Sequence, residues 1–206
     1  MLFRSSMGLS VIIVNYNTAG LVLDCIASFS QSDLQCIHEI IVVDNDSRDN
    51  IKNRLAERFP QSVFINAGYN AGFARANNMG IRKASGDAVL LLNSDTLIAE
   101  DAIANCYHRL MSSSYPAAGV QLLNADKSPQ ISGNYVMTGG LNYLLPLPYL
   151  GRFLRFVALR AGAKRTNIPE ATDAVEVDWI NGAFLMVKKS AIEQAGLLDE
   201  DFFLYA

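Results

Sequence analysis

The chain of 206 residues has few cysteines, little charge, no excess of basic residues and no long apolar run. Three cysteines, Cys25, Cys36 and Cys106, are an odd number at spacings that match no zinc pattern. A disulfide framework and a zinc site are thereby excluded, and buried thiols of a cytoplasmic protein are expected. The net charge of −3 argues against a dedicated nucleic-acid binder, which is usually basic. Met1–Ser6 carries one arginine, and Asn15 and Asn17 cut short the apolar run Val11–Val14, so no signal peptide is read here. No stretch reaches the ~20 apolar residues that a membrane-spanning helix needs. Internal repeats and low-complexity linkers are missing too. Half of the residues are hydrophobic and 18% are charged, the balance of a folded domain around a well-buried sheet.

Short apolar runs rich in β-branched residues alternate with helical patterns. Ser10–Asn15, Glu39–Asp44, Ser62–Asn66 and Ala88–Leu92 read as strands, the first two buried on both faces. Leu21–Ser30, Asn50–Phe59 and Phe73–Ala84 read as the helices between them. Continuous apolar strands separated by helices predict a parallel sheet covered on both faces, an α/β doubly wound unit over the first ~95 residues. Ligands of such sheets bind beyond the carboxyl ends of the strands. Here those ends carry Asn15, Asp44, Asn66 and Asn93. Glu100–Ser112 reads as a further helix. Ala117–Leu123, Ala174–Trp179 and Ala183–Lys188 read as strands that complete the sheet, and Lys189–Ala195 as a helix ended by Gly196.

Residues 141–165 stand apart. Pro146 and Pro148 prevent a regular helix at the start of this segment. From Tyr149 onward, helical spacing puts Arg152, Arg155 and Arg160 on one broad arc, with Leu150, Phe153, Leu154 and Val157 on the other side. Lys164 and Arg165 extend the basic character. A helix of this type suits a membrane interface; an insertion that packs on its own domain is the other reading.

The loop after the first strand, Asn15-Tyr16-Asn17-Thr18-Ala19-Gly20, has no Gly-x-Gly, which argues against an NAD-type pyrophosphate cradle. Asp44 can accept from a ribose hydroxyl or a base N–H. It can equally be a turn or capping aspartate, although Asp46, Ser47 and Asp49 are better placed to cap. Gly72, ahead of a helix, permits close backbone approach by a ligand. Asn77 and Asn78 are poor helix-interior residues, which suggests that at least one is held for a polar contact. Asp95, in Asn93-Ser94-Asp95 at the end of a buried strand, is placed to hold Mg²⁺ or Mn²⁺ against diphosphate oxygens; a β-turn aspartate is the plainer reading.

Taken in order, several segments resemble family 2 glycosyltransferases, and most closely a rhamnosyltransferase-like branch. They are Val11–Asn17, Ile41–Asn45, Asn70–Ala74, Asn77-Asn78, Leu91–Asp95, Asp178–Ala183 and Gly196–Phe203. Each is weak alone; the ordered set spans nearly the whole chain. The resemblance implies a GT-A fold, with a Rossmann-like, mostly parallel central sheet and helices on both faces. It implies one catalytic domain over 1–206, with a nucleotide-sugar-binding half at 8–99 and an acceptor-side half at 100–206 that contains the insertion 141–165. Its reaction would be inverting transfer of a sugar, on this branch rhamnose, from a dTDP- or UDP-sugar to a polysaccharide or glycolipid acceptor.

The resemblance also implies roles. Val14, Asn15, Tyr16, Asn17 and Asp44 would hold base and ribose, and Asn70, Gly72, Phe73 and Asn77 would line the donor site. Asn93, Ser94 and Asp95 would stand at the family's Asp-x-Asp position, with Asn93 replacing the first acid and Asp95 as the ligand of Mg²⁺ or Mn²⁺. Trp179, Asn181 and Gly182, with Asp199 and Glu200, would face the transferred sugar and the acceptor. In relatives an aromatic run like Phe202–Tyr205 is soon followed by a Glu-Asp pair whose aspartate is the base. The base is therefore expected beyond Ala206, in a C-terminally truncated chain that binds donor and transfers poorly. Cytoplasmic location is expected, with peripheral association at the inner face of the membrane. Two rivals stay open: a nucleotide-sugar-binding module without catalysis, and a nucleotidyltransferase, for which the loop at Asn15–Gly20 lacks basic residues.

Overall fold

A computed structural model describes residues 8–134, 149, 152–153 and 173–203. The element order is β1 (Leu9–Asn15), α1 (Ala19–Ala27), α2 (Gln31–Cys36), β2 (Ile37–Asp44), α3 (Ile51–Arg58), β3 (Val63–Asn66), α4 (Gly72–Lys83), β4 (Ala88–Leu92), α5 (Ala102–Ser112), β5 (Ala117–Ala118), β6 (Gly133–Asn134), β7 (Trp179–Ile180), β8 (Phe184–Lys188) and α6 (Lys189–Ala195). Two compact units result: residues 1–120 with 182–206, and residues 121–181.

The first unit holds a six-stranded sheet in the order β3-β2-β1-β4-β8-β5. β3, β2, β1 and β4 run parallel, and β8 pairs antiparallel with both β4 and β5. The α/β, mostly parallel sheet with flanking helices expected from the sequence is thus found. Leu9, Val11, Ile12 and Ile13 have no exposed surface, because β1 is central and both its faces are covered. On one face Ile12, Ile41, Val43, Val89 and Leu91 pack with Ala76 of α4 and Ile192 of α6. The buried Ile, Val and Leu side chains of this cluster each contribute about 1.5–3 kcal/mol. Gly80 lets α4 come this close: a Cβ there would lie 2.5 Å from Ile12 Cγ2. The three cysteines are buried and unpaired, as expected. Burial pushes the Cys25 and Cys106 thiols up to about 12 and Cys36 to about 11.

Several boundaries differ from the sequence reading. The helix expected to run to Ser30 stops at Ala27, and Ser30 begins a second, α2. Its hydroxyl accepts from Asp33 N–H while the Asp33 carboxylate accepts from Ser30 N–H, a capping box that restarts the chain at a new angle. β2 begins at Ile37, two residues early. The strand expected over Ala117–Leu123 shrinks to Ala117–Ala118, because β5 finds a partner only opposite Met186 and Val187. The strand expected over Ala174–Trp179 is instead Trp179–Ile180, where Asn134 and Gly133 supply the partner backbone.

In the second unit β6 pairs antiparallel with β7. A hairpin precedes them, closed by Gln130 N–H to Leu122 O and Asn124 N–H to Ser128 O, both at 2.8 Å. Apart from Tyr149, Arg152 and Phe153, the insertion 141–165 and its arginine arc lie outside the described residues. Among the described residues no helix is long and apolar enough to cross a membrane.

Candidate functional site

Three parallel strands of the first unit end level. Asn15 pairs with Asp44, and Asp44 with Asn66, so polar residues stand side by side where the apolar strands stop. Asn15 is fully buried and forms the centre of the edge. Its Nδ2 lies 3.0 Å from Asp44 Oδ1, 2.8 Å from Ser47 Oγ and 3.2 Å from both oxygens of Asp49. Two amide hydrogens thus serve four acceptors. Asn15 Oδ1 accepts from Thr18 N–H at 3.2 Å, and the Thr18 hydroxyl lies between it (3.1 Å) and the Ser94 hydroxyl (3.2 Å). Asp44, Asn15, Thr18 and Ser94 therefore form one polar chain joining the ends of β2, β1 and β4.

The loops around this chain are tied to one another. Asn17 takes a left-handed backbone (φ 56°), donates its N–H to Ser47 Oγ at 3.0 Å and accepts Arg48 N–H at 2.9 Å. Asp49 accepts the Ala19 N–H at 2.8 Å and so caps α1, whose own N-cap residue Thr18 makes no side-chain cap. Asn45 Oδ1 accepts Ala71 N–H at 2.7 Å, and its Nδ2 donates to Asn70 Oδ1 at 2.9 Å. Asn70 Oδ1 in turn accepts Gly72 N–H at 3.2 Å. Gly72 has a φ of +75°, and a Cβ there would sit 2.5 Å from Phe203 O. The close backbone approach expected at Gly72 is made by Phe203 of this same chain, whose carbonyl accepts Phe73 N–H at 2.8 Å.

Of the two helix asparagines, Asn77 donates to Phe73 O of its own helix at 3.0 Å. Asn78 is the one held by a distant partner, Leu198. Tyr16 and Asn17 are exposed, Val14 is half-buried, and Tyr16 presents half its surface to solvent at the edge. Asn93 donates its N–H to Ala183 O at 3.0 Å and accepts Thr96 N–H at 3.2 Å, which turns the chain and leaves Asp95 exposed. Burial first, and then the Asp95 charge, raise the Cys25 thiol. Asp199 is exposed, and Gly182 lies beside Phe73, whose ring edge would be 3.8 Å from an added Cβ. In the second unit, Trp179 is 42% exposed. Asn181 there donates to Ile131 O at 3.1 Å.

Residues 10–137 match the model of glycosyl transferase family 2. The chain belongs to this family. Within family 2 it is similar to the low-salt glycan biosynthesis hexosyltransferase Agl10 of Haloferax volcanii, at 28% identity over 96% of this chain and 58% of the relative. It is also similar to the poly-beta-1,6-N-acetyl-D-glucosamine synthase of Staphylococcus aureus, at 26% identity over 94% of this chain and 42% of the relative. The chain spans about half the length of the curated relatives it matches. The mannosyltransferase PcManGT from Pyrobaculum calidifontis, solved in complex with GDP-Man and Mn²⁺, has the same fold, with a TM-score of 0.57 at 22% identity over 94% of this chain and 48% of that one.

Sequence reasoning gave no site role to three builders of this edge, Thr18, Asn45 and Phe203, and only a capping role to a fourth, Ser47. A signal existed for Ser47 and Asp49, a polar run Asp-Asn-Asp-Ser-Arg-Asp directly after a buried strand. None existed for Phe203, whose role depends on a contact about 130 residues away in sequence.

Proposed function

We propose that this chain is the nucleotide-sugar-binding domain of an inverting family 2 glycosyltransferase that moves a sugar from a nucleoside-diphosphate donor to a polysaccharide or glycolipid acceptor. The observation that carries the reading is the level, hydrogen-bonded polar edge of Asn15, Asp44, Thr18 and Ser94, lying where ligands of parallel α/β sheets bind. On this reading Val14–Asn17 and Asp44 hold base and ribose, and Asn70, Gly72, Phe73 and Asn77 line the donor site. Asn93, Ser94 and Asp95 face the diphosphate. Trp179, Asn181, Gly182, Asp199 and Glu200 are assigned to the acceptor side on the family resemblance. The sugar is rhamnose or another hexose, and the nucleotide dTDP or UDP; PcManGT was solved with GDP-Man.

The donor set suits a hard divalent cation shared with the ligand. Asp95 is exposed at a strand end, and among the described residues no three His, Cys, Asp or Glu gather into a site of their own. Diphosphate and water oxygens must then complete the shell, as Mg²⁺ and Mn²⁺ accept. When bound, the ion would neutralise charge on the departing nucleoside diphosphate. Peripheral membrane association through residues 141–165 belongs to the same proposal.

Calorimetric titration of UDP, dTDP and GDP with and without Mn²⁺ tests it. At least one nucleotide is expected to bind, more tightly with the metal, and Asp95→Ala is expected to abolish the metal dependence while nucleotide binding persists. Equal binding with and without metal in the intact protein contradicts the role of Asp95; no binding by any of the three contradicts the whole reading.

A further inference from the structure

After Gly196 ends α6, residues 197–203 run back along α4 as a strap. Asn78, fully buried in α4, holds one residue of this strap from both sides: its Oδ1 accepts Leu198 N–H at 3.0 Å and its Nδ2 donates to Leu198 O at 2.8 Å. The second hydrogen of Nδ2 goes to Glu200 Oε1 at 3.0 Å. Arg82 Nη2 reaches the same oxygen at 2.9 Å, and Arg75 Nε lies 3.9 Å from Oε2. Hydrogen bonds from Asn78 and then from Arg82 hold the Glu200 carboxyl below the usual carboxylate range, so this fastening is charged at neutral pH.

Three residues further on, Phe203 closes over the start of α4. Its carbonyl takes the Phe73 N–H, and its ring lies so near Gly72 that a Cβ would be 2.7 Å from Cδ2. Phe203 is nonetheless 55% exposed. It stands next to the corner where Asn45 and Asn70 hold the loop into α4.

We propose that Asn78 and Glu200, the latter in place of the acceptor-side role that the family resemblance assigns it, are positioning residues of the nucleotide site: their bonds fasten the strap to α4 so that Phe203 forms a wall beside Asn70 and Gly72. The ligand in this inference rests on the proposed function, whereas the geometry of the clamp does not. Asn78 has no exposed surface, so it cannot touch a ligand itself, and its bonds to Leu198 and Glu200 are the route by which it would act on Phe203.

The test measures UDP, dTDP and GDP binding with Mn²⁺ for the whole chain, Asn78→Asp, Phe203→Ala and the double variant, with amide exchange of residues 70–76 and 197–203 followed in parallel. Asn78→Asp turns both donors into an oxygen facing Leu198 O and Glu200. Exchange is expected to quicken in both segments, including at the Phe73 amide. Each single variant is expected to bind nucleotide about tenfold more weakly, and the double variant no more weakly than either, because both act through one wall. Losses that multiply in the double variant, or unchanged binding with a loosened strap, overturn the proposal. Glu200→Gln, at the surface, serves if Asn78→Asp does not fold; it keeps the shape, loses the charge and is expected to act in the same direction by about threefold. Should the unaltered chain bind none of the three nucleotides, the functional reading fails, and exchange alone judges the clamp: a Phe73 amide unmoved by the clamp variants overturns it.

Discussion

Replacing Asn15 by aspartate keeps the shape of the side chain and exchanges its Nδ2 donor for an oxygen. In the native edge that nitrogen lies 3.0 Å from Asp44 and 3.2 Å from both oxygens of Asp49. Two new charge pairs at this distance, with an effective dielectric of ~20, cost about 5 kcal/mol each. Keeping the introduced carboxyl protonated at neutral pH, against an unfolded value of ~3.9, costs about 4 kcal/mol. Protonation is the cheaper solution, so the folded protein retains a proton that the unfolded chain releases. The sign follows: the native state binds more protons, and stability falls as pH rises above ~4, by about 1.4 kcal/mol per unit. Relative to the unaltered chain, Asn15→Asp should lose roughly 1.5 kcal/mol near pH 5 and roughly 4 kcal/mol near pH 7. Urea unfolding of both proteins across this range measures the difference. A penalty that does not change with pH would mean that Asp44 and Asp49 do not both converge on residue 15.

Gly80→Ala should cost about 1–3 kcal/mol in thermal unfolding, despite the better helix propensity of alanine, because the new methyl meets Ile12 at 2.5 Å in a closed core; a stabilised variant would refute the close packing of α4 on β1. Burial raises the Glu39 carboxyl, but hydrogen bonds from the Ser85 N–H and hydroxyl and the Ser10 hydroxyl, with nearby His38, outweigh it and hold it below its ordinary range. Its contribution is therefore present above the unfolded value and lost as pH falls through the lowered folded one. Glu39→Gln should remove about 1.5–3 kcal/mol near neutrality and make acid unfolding shallower, as urea titrations at several pH values would reveal. Sedimentation with anionic liposomes at low salt should carry down the unaltered chain and leave Arg152→Glu plus Arg155→Glu in the supernatant; equal behaviour of the two would make residues 141–165 purely structural.

The central sheet was legible in the sequence because its main strands are continuous apolar runs that end on, or are directly followed by, a polar residue. β4 and α6 fall where the pattern puts them, and β1, β2, β3, β8, α1, α3, α4 and α5 within three residues, whereas α2 and β6 have no counterpart in the pattern. The line-up of Asn15, Asp44 and Asn93 at one edge follows from parallel strands alone, since all their carboxyl ends must point the same way. Short pairings were not legible. β5 and β7 are two residues long, and their extent depends on where partner backbone happens to reach.

The starts of α1, α4 and α5 were decided only by the tertiary structure. α1 is capped by Asp49, α5 donates its Ala104 N–H to the buried Asp33 carboxylate, and α4 is closed by the Phe203 carbonyl. None of these three helices is capped by the side chain of its own N-cap residue. A helix leaves its first N–H groups without intrahelical partners, and burial makes that costly unless some acceptor arrives. Local sequence shows that the need exists. Which distant oxygen meets it is settled by the packing of strands and helices that brings residues 30 to 130 positions apart into contact.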